Sequence, residues 1–113
     1  AMTPLNTKWH PGVAKAWCLF DGTATGTNAP TVGHGVTSVT RSGAGVYVIN
    51  LSVTFSGTDF CVLATGTFNG GTGNRVIPLV VGRTATTISI TSYNDNPSAA
   101  DCPIVNVVAF GDF

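Results

Sequence analysis

The chain has 113 residues and a formal net charge of zero, with charged side chains at 9% where a soluble domain ordinarily carries about 25%. Lys8, Lys15, Arg41, Arg75 and Arg83 are scattered, which argues against the phosphate-neutralising patch that nucleic-acid binding requires. No stretch approaches about 20 apolar residues, so no membrane-inserting helix is expected, and at 43% hydrophobic the chain is too apolar to be disordered.

Residues 1–10 read as a cleavage scar, Ala1-Met2, followed by the stub of a linker, and residues 11–113 as one domain excised from something longer. Helix signals are nearly missing. No window sets apolar residues at i, i+3, i+4 and i+7 over three turns, and the abundant Thr, Val, Ile and Gly disfavour helix. Short β-rich runs between Gly, Asn and Pro clusters predict strands at 14–20, 35–41, 46–55, 60–67, 76–82, 86–92 and 104–110. Ser42-Gly43-Ala44-Gly45 and the run 69–74 supply hairpin-like links, Arg83-Thr84-Ala85 is a tight one, and 94–103 is the longest polar loop near the end. Short links make neighbouring strands antiparallel. The expected fold is all-β, an antiparallel β-sandwich of jelly-roll-like kind with about seven or eight strands.

The alternation within these runs says more. Over 46–55, Tyr47, Ile49, Leu51, Val53 and Phe55 share one face, while Val46, Val48, Asn50, Ser52 and Thr54 share the other. Over 104–110, Ile104, Val108 and Phe110 face one way and Val105, Val107 and Ala109 the other, so both faces are largely apolar. Either that strand is central and covered twice, or its second face meets another subunit. Apolar side chains in excess of one small core predict an oligomer.

Three cysteines, Cys18, Cys61 and Cys102, cannot all pair within the chain. Three buried thiols are expected, with one intrachain disulfide and a free thiol as the alternative. The odd count fits assembly in a reducing cytoplasm better than an oxidising secretory route.

The run Pro11-Gly12-Val13-Ala14-Lys15-Ala16-Trp17-Cys18-Leu19-Phe20-Asp21-Gly22-Thr23 resembles a Pro-Gly/Ser-x-Ala-Lys-Ala-Trp-x-x-Phe-x-Gly-Thr pattern that opens a C-terminal module of bacteriophage tail fibres and tailspikes. The run Gly35-Val36-Thr37-Ser38-Val39-Thr40-Arg41-Ser42-Gly43-Ala44-Gly45-Val46-Tyr47-Val48-Ile49-Asn50-Leu51 is similar to the next stretch of that family, Asn-Val-Ser-Ser-Ile-x-x-x-Gly-x-Gly-x-Tyr-x-Val-Asn-Phe. The likeness covers about the first half of the chain, in order and spacing, and departs from the family at Leu19 and Val46. It implies a homotrimer at the far end of a fibre, part of the virion, assembled in the host cytoplasm and touching a bacterial surface polysaccharide or other host receptor. Trp17, Val105, Val107 and Phe110 are the residues expected to pack between subunits.

Chemistry is harder to find. His10 and His34 are isolated, so no metal site is expected, and no cofactor motif is present. Asp21, Asp59, Asp95, Asp101 and Asp112 are the only carboxylates for glycoside hydrolysis, and most flank Gly, Thr, Asn or Pro, where Asp forms turns. No Gly-x-Ser-x-Gly elbow occurs, and no catalytic residue is assigned. Trp9 reads as a packing anchor at a subunit boundary. An aromatic ring with amides and a carboxylate suits sugar binding, which singles out Tyr93, Asn94, Asp95 and Asn96 in one loop and Asn69, Asn74 and Arg75 in another. The expected function is therefore trimerisation with host glycan binding. The alternative is a purely structural trimerisation cap, with receptor binding or hydrolysis upstream.

Overall fold

The structure is a computed structural model that describes residues 13–67, 76–95 and 98–112. Among these described residues nine strands run in chain order: β1 (Ala16–Asp21), β2 (Gly26–Asn28), β3 (Val32–His34), β4 (Val36–Gly43), β5 (Val46–Leu51), β6 (Cys61–Gly66), β7 (Ile77–Thr84), β8 (Thr87–Tyr93) and β9 (Ile104–Phe110). They form a four-stranded sheet in the order β3-β1-β9-β6 and a five-stranded sheet in the order β2-β4-β5-β8-β7, with every pairing antiparallel. The all-β antiparallel sandwich is thus shown, and no helix occurs among the described residues.

Period-two alternation builds the core. Tyr47 and Ile49 from β5 and Ile88 and Ile90 from β8 point inward from the larger sheet. Ala16, Cys18 and Phe20 from β1 and Val105, Val107 and Ala109 from β9 point inward from the smaller one. Phe20 meets Tyr47 edge-on, their centroids 5.3 Å apart. The hairpin from β4 to β5 turns through Ala44 and Gly45. Gly45 has φ +71, and a Cβ there would strike the Ala100 backbone at 2.5 Å, so only glycine fits.

Two strands were not foreseen. β2 and β3 have three residues each and lie exposed at the edges of the two sheets, with the chain crossing between them at residues 29–31. Gly26-Thr27-Asn28 reads as a loop and Val32-Gly33-His34 is too short and glycine-broken to announce a strand, so pairing with β4 and β1 alone makes them strands. The run expected at 46–55 leaves the sheet after Leu51. There Ser52 N–H donates to the Gly35 carbonyl at 2.9 Å, and Phe55 N–H donates to the Ala85 carbonyl at 2.9 Å. The Phe55 ring stays buried by stacking on Phe60 at 4.0 Å.

The cysteines form no disulfide. Cys18 and Cys102 are buried, but Cys61 is exposed, which corrects the expectation of three buried thiols. Its run is apolar on both faces, and pairing with β9 turns Val62 and Ala64 toward the core and Cys61 outward.

Candidate functional site

Register determines what the outer face of the smaller sheet carries. Trp17 on β1 pairs with Val108 on β9, and Val108 pairs with Leu63 on β6. Directly opposed residues share a face, so these three form an apolar row across the sheet, which ends at the β3 edge on His34 opposite Trp17. Cys61 stands opposite Phe110 on one side of it, and Leu19 opposite both Val32 and Asn106 on the other. Trp17 is 41% exposed and Leu63 56%, and Val32 and Ile104 are exposed as well. Asp21, at one corner, is the only carboxylate on this face among the described strand residues, and Thr23 engages it through N–H and Oγ1 at 2.8 and 2.6 Å.

The expected packing residues fall on two sides. Trp17 lies outward and Phe110 is partly exposed on the same face. Val105 and Val107 are 0% and 5% exposed, turned into the core between the sheets, and are not available to a neighbour. This corrects their assignment. β9 is a central strand covered inside by its own subunit, so its outward residues, Ile104, Val108 and Phe110, are the ones left uncovered.

The loop after β8 is built by its own polar groups. Ser92 Oγ donates to the Ala100 carbonyl at 2.7 Å, and Ala100 N–H donates back to the Ser92 carbonyl at 2.9 Å. Asn94 N–H donates to the Ser98 carbonyl at 3.0 Å, while Asn94 Oδ1 accepts from Ser98 N–H at 3.2 Å. Asn94 is therefore occupied in shaping its turn. Tyr93 is half-buried beside Ile77, and Asp95 is exposed. Asn69, Asn74, Arg75 and Asn96 lie outside the described residues, as do Trp9 and His10. His34 lies exposed on β3, and among the described residues no three His, Cys or Asp side chains come together as a metal site would need.

Sequence reasoning missed the cluster that anchors this loop. Arg41 on β4 grips Asp101 in a bidentate pair, Nε to Oδ1 at 2.9 Å and Nη2 to Oδ2 at 2.8 Å. Asp101 Oδ1 also accepts from Gly45 N–H at 2.8 Å. Tyr47 Oη donates to the Gly22 carbonyl at 2.8 Å and accepts from Cys102 N–H at 3.0 Å. The guanidinium hydrogen bonds hold the Asp101 carboxyl below its ordinary range, and burial raises the Tyr47 phenol. Arg41 and Asp101 are 60 positions apart, so no local pattern joins them.

Two recesses lie among the described residues. One of about 50 Å³ lies beside Arg41 and Tyr47, far under the roughly 300 Å³ at which ligand pockets begin. The other, about 350 Å³ and widely open, runs over Thr58, Asp59, Val81 and Arg83. There Arg83 Nε donates to the Thr58 carbonyl at 3.1 Å, and its guanidinium lies 5.9 Å from the Phe60 ring centre. No family model, no curated protein and no solved structure matches this chain.

Proposed function

We propose that this chain is the C-terminal module of a bacteriophage tail fibre or tailspike, a non-enzymatic homotrimer that registers three chains and contacts a host-surface glycan. The observation that carries the assembly half is the uncharged apolar row Trp17, Val108 and Leu63, with Phe110 beside it, on the outer face of the smaller sheet. A monomer seldom leaves such a face to water. The resemblance to fibre modules supplies the number three and the setting. Tyr93 and Asp95, together with Asn69, Asn74, Arg75 and Asn96, are the groups proposed to touch the glycan.

One observation favours the structural-cap alternative. The quoted pattern residues that can be followed in the fold are largely fold-building: Ala16, Phe20 and Tyr47 are core, Gly22 gives its carbonyl to Tyr47, and Gly45 makes the turn. The test is binding of the intact assembly to a glycan array and to whole bacterial cells. Binding that Tyr93→Ala or Arg75→Ala reduces at least tenfold is the expected result. A blank array and no cell binding, with the assembly intact, removes the receptor role and leaves the cap.

A further inference from the structure

A cyclic ring of three needs two different patches on each copy, because each subunit meets its two neighbours through unlike surfaces; a two-fold dimer needs only one. The structure carries a second exposed apolar patch. On β7, Ile77 and Leu79 are 59% and 50% exposed, and Val81 stands exposed in the bulge that follows. Ile77 pairs with Tyr93 and Leu79 with Thr91, which in turn opposes Val46, so the patch lies on the outer face of the larger sheet. Neither of those rows holds a charged side chain.

The placement of the two patches decides how they are used. β6 is the terminal strand of one sheet and β7 of the other, and the two lie side by side along one edge of the sandwich. That edge is a wedge with Leu63 on one flank and Ile77 and Leu79 on the other. The opposite edge is finished by β2, β3 and the exposed crossing between them, where Thr25, Thr27, Asn28 and Thr31 face solvent. One edge is thus apolar on both flanks and the other largely polar. The smaller sheet has a flat footprint on the order of 350 Å² from strand spacing and length. The smaller specific interfaces bury roughly 600 Å² per partner, so the contact must take in Val32, Ile104 and Phe110 around the central row as well. Its chargeable groups, Asp21 and His34, lie at the margins of the face, so the occupant that fits its apolar centre is the apolar flank of a second copy of this chain.

We infer that the subunits join heterologously, the outer face of the smaller sheet (Trp17, Leu63, Val108) of one copy against the β7 flank (Ile77, Leu79) of the next, with the β6–β7 edge toward the symmetry axis. This rests on the homotrimer proposed above. The test uses Leu63→Asp and Leu79→Asp, both at exposed positions, with circular dichroism to confirm that each folds. Each variant alone is expected to run as one chain per particle. Mixed one to one, they form a heterodimer, because the face of the Leu79→Asp chain and the flank of the Leu63→Asp chain are both intact. A Leu79→Asp chain that still self-associates, or folded variants that fail to combine although the unaltered chain assembles, would overturn the inference. An unaltered chain that is itself one chain per particle sinks the trimer proposal instead. Independently of variant folding, maleimide should label Cys61, which lies on the same face opposite Phe110, at least tenfold more slowly in the assembly than in separated subunits. Equal rates contradict the buried face.

Discussion

At the scale of single residues, Tyr47 and Asp101 hold the long polar loop to the sandwich. Tyr47→Phe keeps the ring in the core but strips the Gly22 carbonyl and the Cys102 N–H of their shared partner. Buried polar groups left without a partner cost about 1–3 kcal/mol, so urea denaturation should show a loss of that size. Hydrogen exchange should show the Cys102 amide losing protection. Asp101 gives a pH prediction with a definite sign. Its carboxyl lies lower in the folded chain than in the unfolded one, chiefly through the Arg41 hydrogen bonds. The stability it contributes is complete above the unfolded value of about 4 and is lost as pH falls through the folded value. Denaturation midpoints followed from pH 7 to pH 2 should therefore drop more steeply for the unaltered chain than for Asp101→Asn. That variant should already be less stable at pH 7, because Arg41 loses its charged partner. The thiols separate in the same way. Burial pushes Cys18 up to about 12 and also raises Cys102, so neither should react with iodoacetamide until the chain unfolds.

Among the elements, the β4–β5 hairpin is the most demanding. Gly45→Ala would place a side chain at φ +71 and against Ala100, at a cost of roughly 2 kcal/mol or more in a thermal or urea melt. The same hairpin shows how much could be read beforehand. Ser42-Gly43-Ala44-Gly45 announces a turn from composition alone, and the seven longer strands follow from β-rich runs between turn residues, β9 at its observed bounds. What escaped depends on contacts distant in sequence. β2 and β3 exist because β4 and β1 offer them edges, and their own residues read as loop. Cys61 reads as buried because its run is apolar on both sides, and only the pairing with Phe110 reveals which side faces out. Val105 and Val107 read as boundary residues because alternation shows two faces without saying which one the subunit itself covers. The Arg41–Asp101 pair was invisible for the same reason: two ordinary surface-type residues become one anchor only when the sandwich closes.

The described residues form a nine-stranded sandwich whose inner faces fill its own core, and whose outer surface is apolar on the smaller sheet and on the β7 flank of the larger one, where most sandwiches are polar. Eleven-kilodalton domains are modestly stable alone. If copies cover each other's outer faces, part of the stability comes from association, and the melting temperature should rise with protein concentration. A concentration-independent melt at a moderate temperature would speak against that coupling. The most direct test is the mass in solution by light scattering at micromolar concentration. Three chains per particle is the predicted result, and one chain per particle would contradict the homotrimer and the interface built upon it.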